Sequence, residues 1–434
     1  MIKISGESCG DDLPAFGSPQ DFIEGYVPLV FDAEPGEEAV LKAMMLAVQF
    51  EQDKSTVSEL FEIMVDAKKR GVNAQVIIDE RYVRNMTRIG NRDVPYWLPS
   101  LNSADRVERQ STRQRTDRWL QYLDDEGVLV CGGPQSLQRD YTPRLRHAGS
   151  FHIAQSLFAA DHRKGAYVTR TDGDVVAYIN SLDLTDSDFI NPSPDSDIGR
   201  NNLSLRVGGK AAAFVMRLFR GDYSPESGIH TFGDKVRLTH DIGNNGEPAR
   251  LPGILVEALQ AIDPRKETII IDPNDYEPRT PTAVVLLSQY APNGLLYNAL
   301  DHVASTGTYV YVPLQPDNDH HSNHFPFNLN YALFKRRVGS EDPDQRIIYE
   351  KREVASHVKF LIVKYDNGTV KMNVGTDNFV TNLQKVVRNE EIAVSISLDL
   401  KNATDAVYFH DVVNMLFDIG EIDSTTKDKL LLDT

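Results

Sequence analysis

A short motif, a histidine followed two residues later by a lysine, occurs twice in the chain. Residues i and i+2 of a β-strand point to the same face, so each copy would set an imidazole beside an ammonium group. Each lysine is followed, at the same spacing, by a polar residue at the end of the next predicted strand. These residues are His162, Lys164 and Asp183 in the first copy and His357, Lys359 and Asn378 in the second.

Two imidazoles and two ammonium groups on one site suit a tetrahedral phosphoryl anion. The lysines neutralise its non-bridging oxygens, and the amide of Asn378 donates a further hydrogen bond. One imidazole can attack phosphorus to form a covalent phosphohistidine, while the other serves as general acid and then as general base. Asp183 cannot donate a hydrogen bond when it is ionised, so we expect it to position Lys164. Because the positive charge is built into the side chains, we predict no metal and no other cofactor.

Apolar spacing predicts alternating helices and strands around both copies of the motif. Helices are predicted at residues 56–71, 208–223, 281–307 (broken near Pro292) and 403–418, and a helix, a glycine and a strand at 119–131. Strands are predicted at residues 72–79, 203–207, 267–273, 308–314 and 390–398, and hairpins at 165–184 and 357–378.

The two halves of the chain repeat the same order of elements. Two long repeats exclude a solenoid and favour a duplicated domain, and the alternation of strands and helices predicts an α/β/α sandwich for each half. If the halves pack about a pseudo-two-fold axis, both motif copies reach one site and a monomer suffices. The expected bounds are a lead-in at 1–40, a first half at 41–223, a Gly/Pro-rich linker at 224–253 and a second half at 254–434.

Composition narrows the class of protein. The 434 residues carry a formal net charge of −17, which argues against broad non-specific binding of nucleic acid. Two cysteines rule out a disulfide framework. There is no signal-peptide pattern and no run of about 18 to 20 apolar residues that could span a membrane. We therefore expect a soluble cytoplasmic protein. An exported chain whose signal had been removed would look the same, and peripheral membrane contact stays open.

The doubled motif and its surroundings resemble the phospholipase D superfamily, whose signature is a doubled H-x-K-x4-D followed by G-[GS]-x-N. The resemblance extends over about residues 40–420. It rests on residues 180–183 and 203–209 in the first half and on residues 356–363, 375–378 and 389–394 in the second. It implies phospholipase D-like halves related by a pseudo-two-fold axis, with both halves of the site supplied by one chain.

This chain departs from the superfamily pattern at several positions. Thr169 and Lys364 stand where each motif has its aspartate, a residue that in the family mainly supports the fold around the site. Asn180 replaces the first glycine of the first G-[GS]-x-N element. The resemblance nevertheless makes Asn180, Ser181 and Thr376 candidates for contact with the substrate.

The resemblance also suggests which histidine is the nucleophile. Glu391 matches an acidic position that orients a histidine in the family, and Asn202 occupies its counterpart in the first half. Across the pseudo-two-fold axis, Glu391 would orient His162, fix its tautomer and favour its imidazolium form. We therefore expect His162 to be the nucleophile and His357 the general acid and base. The reverse assignment stays open.

Two further clusters of basic residues are weaker candidates. His320, His321 and His324 lie in a polar stretch that fits a mobile loop, a metal site or a cover over the active site. Arg144, Arg146 and His147 precede the first motif, where Arg146 is a candidate contact for a substrate head group and a surface cluster is the alternative.

These observations predict a phosphodiesterase or phosphatidyltransferase of phospholipase D type that acts on a lipid or a small molecule. A nuclease of the same superfamily is the first alternative, and the Arg-rich segment 81–118 would supply its basic groove. That segment otherwise reads as a solvated excursion from the sheet or a lid. The second alternative is a degenerate member that binds a phosphate-bearing ligand without turnover.

Overall fold

The chain divides into two compact units in a computed structural model. Unit 1 comprises Met1–Asn191, Ile198–Pro225 and Ile242–Asn245, and unit 2 comprises Pro192–Asp197, Glu226–Asp241 and Gly246–Thr434. The structure describes residues 13–44, 46–51, 55–79, 103–132, 162–193, 199–221, 228–241, 253–263, 279–292, 294–315, 332, 334, 336, 347–379 and 390–432.

Unit 1 is built on a seven-stranded mixed sheet. Its strands are β1 (Ala15–Gly17), β2 (Glu38–Ala43), β4 (Asn73–Asp79), β5 (Leu129–Gly132), β6 (Gly165–Thr169), β7 (Val175–Asn180) and β9 (Ser204–Val207). Strands β3 (Leu46–Ala47) and β8 (Leu184–Thr185) pair parallel in a separate two-stranded sheet. The spatial order is β1-β9-β7-β6-β2-β4-β5. The helices are α1 (Pro19–Phe31), α2 (Thr56–Lys69), α3 (Ser103–Asp125) and α4 (Gly209–Arg220).

The core of unit 1 lies between the sheet and helices α1 and α2. Phe22 and Tyr26 of α1 stack with ring centroids 5.4 Å apart, and both meet Tyr178 of β7 edge to face. Helix α2 buries its apolar face, begins at the N-cap Ser55 and is followed by Gly71 at φ 93°. A left-handed residue just past the last turn is typical of a helix end. The predicted helix and the following strand β4 are therefore both confirmed.

Unit 2 is built on an eight-stranded mixed sheet. Its strands are β10 (Gly228–Phe232), β11 (Val236–Asp241), β12 (Pro281–Leu287), β13 (Tyr309–Tyr311), β14 (Ile347–Ile348), β15 (Phe360–Tyr365), β16 (Thr369–Gly375) and β17 (Glu391–Asp399). The spatial order is β10-β11-β17-β16-β15-β12-β13-β14. The helices are α5 (Gly253–Ile262), α6 (Gly294–Ser305), α7 (Ala403–Asp418) and α8 (Ser424–Leu431).

The two sheets repeat one topology. The run β9-β7-β6-β2-β4-β5 in unit 1 matches the run β17-β16-β15-β12-β13-β14 in unit 2. In both runs the first four strands pair antiparallel and the last three pair parallel. A further strand, β1 or β11, pairs antiparallel with the first strand of each run. This agreement confirms the α/β class and the duplication that the sequence predicts.

The predicted helix at 281–307 is wrong in its first part. Pro281–Leu287 is the buried strand β12, which pairs with β13 on one side and β15 on the other. The helix α6 begins only at Gly294. A continuous run of apolar residues fits a buried helix and a central strand equally well, and tertiary pairing decides between them. The predicted strand at 267–273 lies outside the described residues.

Three segments carry more structure than their composition suggests. Within the expected lead-in 1–40, the described residues form β1, α1 and the start of β2. Within the expected linker 224–253, they form β10 and β11. Within the Arg-rich segment 81–118, residues 103–118 begin helix α3 rather than an excursion. There Thr116 is buried and accepts a hydrogen bond from the backbone N–H of Val48 at 3.1 Å.

Candidate active site

The His-x-Lys segments directly precede strands β6 and β15 instead of lying inside them. The carbonyl oxygen of Lys164 accepts a hydrogen bond from the N–H of Asn180 at 3.0 Å, and that of Lys359 accepts one from the N–H of Gly375 at 3.3 Å. Hydrogen bonding to the neighbouring strand therefore begins at each lysine, one residue before β6 and β15 begin.

Each lysine turns back toward its own histidine. The Nζ of Lys164 donates to the carbonyl oxygen of His162 at 3.3 Å, and the Nζ of Lys359 donates to that of His357 at 2.6 Å. All four residues are buried. We call the group His162, Lys164, Ser181, Asp183 and Asn202 the unit 1 half-site, and His357, Lys359, Thr376, Asn378 and Glu391 the unit 2 half-site.

In the unit 1 half-site, an aspartate compensates the lysine. The Nζ of Lys164 lies 3.7 Å from Oδ2 of Asp183, and both side chains are buried. The N–H of Met44 donates to Oδ1 of Asp183 at 3.1 Å, and the N–H of Asp183 itself donates to Asp188 at 2.6 Å. The carboxylate of Asp183 is thus fixed by a backbone donor on one oxygen and faces Lys164 with the other, as the sequence argument expects.

A hydroxyl clip joins the polar loop of unit 1 to strand β9. Ser181 Oγ donates to Oδ1 of Asn202 at 2.8 Å and accepts from the N–H of Leu203 at 2.9 Å. The N–H of Ser181 donates to the carbonyl oxygen of Leu203 at 2.9 Å. The hydroxyl of Ser181 thus ties the polar loop to the residues that begin strand β9.

Unit 2 contains the same clip at the equivalent positions. Thr376 Oγ1 donates to Oε2 of Glu391 and accepts from the N–H of Ile392 at 3.1 Å. The N–H of Thr376 donates to the carbonyl oxygen of Ile392 at 2.9 Å. The half-sites therefore correspond residue by residue, with Glu391 in the place of Asn202, as the sequence alignment of the halves requires.

The residues before the two clips differ in side-chain size. Asn180 is buried and accepts a hydrogen bond from Ser204 Oγ at 2.6 Å, so its amide oxygen is engaged within the unit 1 sheet. At the equivalent Gly375, a Cβ atom would lie 2.2 Å from the carbonyl oxygen of Ile392. Glycine is therefore a steric requirement in unit 2, whereas unit 1 accommodates an asparagine.

Asn378 sits at a tight bend. Phe379, the next residue, has φ 52°, and its N–H donates to Oδ1 of Asp377 at 2.6 Å. Ser288 Oγ donates to the backbone carbonyl oxygen of Asn378 at 2.5 Å. Within the described part of the chain, the side-chain oxygen of Asn378 receives no hydrogen bond. A non-glycine residue in the left-handed region next to a candidate site is a strained feature typical of functional loops.

Other contacts replace the two motif aspartates that the chain lacks. Thr169 Oγ1 accepts a hydrogen bond from the N–H of Glu38 at 2.9 Å, which ties β6 to the start of β2. In unit 2, Asp366 exchanges hydrogen bonds of 2.9 and 3.0 Å with the backbone of Thr280. Lys364 donates instead to the carbonyl oxygens of Leu430 and Leu432. The far end of each hairpin is thus anchored without the motif aspartate.

Sequence reasoning missed a buried acid near the unit 2 half-site. Asp241 ends strand β11 opposite Glu391, and it accepts the N–H groups of Gly253 and Ile254 at 2.6 and 3.2 Å, at the start of helix α5. Burial raises the pKa of Asp241 to about 6, and the charges of Glu391 and Glu257 act in the same direction. Asp241 could have been found from residues 236–241, where apolar and polar residues alternate as in a strand and the last residue is an acid. That segment lies inside the expected linker.

Several candidate residues lie outside the described residues. They are Arg144, Arg146, His147, His320, His321 and His324. Among the helices that the structure describes, none combines the length and the hydrophobicity that crossing a membrane would take.

Solved structures with the same fold occur at low sequence identity. The match to phosphatidylserine synthase from Haemophilus influenzae Rd KW20 has a TM-score of 0.52 at 11% identity and covers 97% of this chain and 89% of that one. The match to polyphosphate kinase from Porphyromonas gingivalis has a TM-score of 0.48 at 11% identity and covers 95% of this chain. It covers 51% of the kinase, so the chain spans about half the kinase's length.

Yeast tyrosyl-DNA phosphodiesterase is also similar, at 10% identity and a TM-score of 0.40, over 88% of this chain and 89% of that one. No protein-family model matches the chain. No curated protein sequence matches it either.

Proposed function

The chain has the fold of the phospholipase D superfamily, and we propose that it cleaves a phosphodiester through a covalent phosphohistidine intermediate. The observation that carries the proposal is the repeated half-site. In each unit the lysine of a buried His-x-Lys segment donates to the carbonyl oxygen of its own histidine, and each unit also has the same hydroxyl clip. A single buried histidine and lysine would be an ordinary core feature, but the repetition of the whole arrangement favours a symmetric catalyst.

The proposed chemistry requires both half-sites to serve one phosphorus atom. The imidazole of His162 forms a bond to phosphorus while the bond from phosphorus to the leaving oxygen breaks. His357, as imidazolium, gives its proton to that oxygen and becomes neutral. It then takes a proton from water or an alcohol, whose oxygen displaces His162 from phosphorus. Lys164, Lys359 and the amide of Asn378 stabilise the charge on the non-bridging oxygens.

The hydroxyl clips and Glu391 have positioning roles in this proposal. Ser181 and Thr376 hold the polar loops in place, since their hydroxyl protons are already donated to Asn202 and Glu391. Glu391 would fix the tautomer of His162 and stabilise the positive charge that its ring gains when it bonds to phosphorus. Asn180 and Arg146 stay candidate substrate contacts.

We propose a lipid or another small phosphodiester as the substrate, hydrolysed or transferred to an alcohol. The fold likeness to a phosphatidylserine synthase makes a phospholipid a reasonable first substrate. The net charge of −17 disfavours a polyanionic nucleic acid, whose binding depends on neutralising many phosphates. The experiment described next also distinguishes hydrolysis of a nucleic acid and ligand binding without turnover from this proposal.

The test compares wild type with His162→Asn and His357→Asn, in the presence of a chelator. The substrates are bis(p-nitrophenyl) phosphate, phosphatidylcholine dispersions and single-stranded DNA. His410→Asn, on helix α7, is the matched control. We expect each half-site variant to lose activity by about 10²- to 10⁴-fold and the control to retain it. Quenching in alkaline denaturant, in which a phosphohistidine bond survives, should trap the substrate's phosphoryl group on wild type and on His357→Asn, but not on His162→Asn.

Other outcomes change the proposal in defined ways. Phosphate trapped only when His357 is intact would reverse the two histidine roles. Cleavage of DNA alone would favour the nuclease. Binding of phosphate without turnover, unaffected by His162→Asn, would favour a non-catalytic binder. Activity that survives both histidine variants would refute the phosphohistidine mechanism.

A further inference from the structure

The segment that leads to His357 pairs with the chain that follows strand β13. The N–H of Leu314 donates to the carbonyl oxygen of Glu350 at 2.7 Å, and the N–H of Arg352 donates to that of Leu314 at 2.8 Å. These hydrogen bonds continue the parallel pairing of β13 with β14 past the ends of both strands. Backbone pairing therefore carries the segment as far as Arg352.

Closer to the histidine, the side chain of Gln315 takes the place of a neighbouring strand. Its Nε2 donates to the carbonyl oxygen of Ser356 at 2.7 Å, and its Oε1 accepts from the N–H of Ser356 at 2.9 Å. One amide group thus satisfies both backbone groups of the residue directly before His357. We call these two hydrogen bonds the glutamine clamp.

The glutamine clamp has one orientation and is costly to break. The carbonyl oxygen of Ser356 can only accept and its N–H can only donate, so the partners decide which end of the amide faces which group. Gln315 and Ser356 are both buried. Loss of the amide would leave two buried backbone groups without a partner, which is unfavourable. The position of Ser356 is therefore strongly determined.

Two more hydrogen bonds fix the backbone on the far side of the histidine. Ser356 Oγ accepts from the N–H of Val358 at 3.1 Å and so spans His357. The carbonyl oxygen of His357 accepts from Nζ of Lys359 at 2.6 Å. With the backbone held on both sides, the direction in which the imidazole leaves the chain is set. Proton transfer and nucleophilic attack both depend on such a fixed direction.

We propose that Gln315 is a positioning residue for His357, acting through the backbone of Ser356 and without touching the substrate. The inference rests on the proposed phosphodiester chemistry, in which His357 is a reacting group. Either role of His357, general acid and base or nucleophile, requires the same fixed imidazole. The inference therefore does not depend on which histidine attacks phosphorus.

The first test is kinetic and uses the substrate that wild type cleaves best. Gln315→Met keeps the length of the side chain but removes the amide. The matched control is Thr308→Val, which removes a buried hydroxyl that donates to the carbonyl oxygen of Pro281 at 2.8 Å, also in unit 2. We expect kcat to fall about 10- to 100-fold in Gln315→Met while KM changes less than about threefold. Both constants of Thr308→Val should stay within about threefold of wild type.

The second test needs no turnover. The full chain is labelled with isotopes at histidine, and the ring signal of His357 in the nuclear magnetic resonance spectrum is identified by its loss in His357→Asn. This signal should shift or broaden in Gln315→Met and should stay in place in Thr308→Val. Gln315→Asn keeps the buried position polar but is one methylene too short for the clamp, so it should shift the signal as well.

The outcomes separate this inference from the proposed function. An unchanged His357 signal in both Gln315 variants would overturn the positioning role, whatever the activity of wild type. Equal losses of kcat in Gln315→Met and Thr308→Val would also overturn it, because general destabilisation would explain them. If wild type cleaves none of the substrates while the signal shifts in the Gln315 variants alone, the clamp is supported and the proposed function fails.

Discussion

The two half-sites share one pattern of hydrogen bonds but place a carboxylate at different positions in it. In unit 1 the carboxylate is Asp183, which faces Lys164 at 3.7 Å, and the clip ends on the neutral Asn202. In unit 2 the positions are exchanged, since Asn378 follows the clip and Glu391 accepts the hydroxyl proton of Thr376. Each half-site thus has one lysine and one carboxylate at these equivalent positions.

This exchange separates two uses of a buried acid. Beside the lysine, a carboxylate compensates a charge that would otherwise be buried alone. At the clip, a carboxylate accepts the hydroxyl proton of Thr376 and anchors the start of strand β17. The acid of unit 1 is therefore expected to act on stability through the charge of Lys164, and the acid of unit 2 through the position of its loop.

The largest expected effect concerns Lys164. Lys164→Gln removes the ammonium group that lies 3.7 Å from the buried carboxylate of Asp183 and should lower the free energy of unfolding by about 3 kcal/mol. Urea denaturation of the variant and of wild type measures this loss. The double variant Lys164→Gln/Asp183→Asn should recover most of it. A double variant no more stable than Lys164→Gln would show that Asp183 does not compensate Lys164.

The hydroxyl clips should differ by a smaller amount. Thr376→Val removes the hydroxyl that donates to the carboxyl group of Glu391 and should cost about 2 kcal/mol, whereas Ser181→Ala removes the hydroxyl that donates to the neutral amide of Asn202 and should cost about 1 kcal/mol. Denaturation curves of Thr376→Ser, which keeps the hydroxyl, provide the control and should lie close to wild type. A larger loss in Ser181→Ala would contradict the distinction between charged and neutral clips.

Helices α1 and α5 are also anchored differently in the two units. Ser18 and Asp21 cap α1 locally, whereas Asp241 reaches α5 from strand β11. Because the folded protein raises the pKa of Asp241 to about 6, it favours the protonated form. The resulting stability is fully present below the unfolded pKa and is lost as the pH rises through about 6.

Accordingly, the free energy of unfolding of wild type should fall between about pH 5 and about pH 7.5. The fall should exceed that of Asp241→Asn over the same pH range by about 1 to 2 kcal/mol. Denaturation at both pH values measures the difference, and each protein serves as its own reference. A parallel pH dependence in the two proteins would show that Asp241 ionises normally.

The smallest expected effect is on anion affinity. Asp183→Asn removes a negative charge beside Lys164 and should strengthen inhibition by inorganic phosphate about fivefold, and Asn378→Asp should weaken it by a similar factor. Inhibition of bis(p-nitrophenyl) phosphate cleavage measures both. Shifts of the same sign in the two variants would mean that charge at these positions does not control phosphate binding.

The sequence allowed the repeated elements to be predicted wherever local signals were strong. The turn at Gly368, with φ 86°, lies where the hairpin was expected, and helix α7 has the predicted bounds. Each lysine is followed at equal spacing by Asp183 or Asn378, and strand pairing gives Lys164 and Lys359 matching registers. The role of these residues in a catalytic site stays a prediction.

What could not be predicted depends on contacts between distant parts of the chain. The burial of Asp241 and Glu257 results from the packing of α5 against the sheet, and no local pattern encodes it. The hydrogen bonds of the clips could not be predicted either, because the hydroxyl of Ser181 or Thr376 has several possible acceptors before the strands pair. The error at β12 has the same origin, because only its neighbours distinguish a central strand from a helix.

The close approach at Gly375 has an evolutionary consequence. A side chain there would collide with the backbone of β17, so this position has no substitution that leaves the unit 2 clip undisturbed. The equivalent Asn180 already carries a side chain and bonds it to Ser204. After the duplication, the first copy could therefore accumulate changes beside its half-site that the second could not, and new substrate preferences would be expected to arise in unit 1.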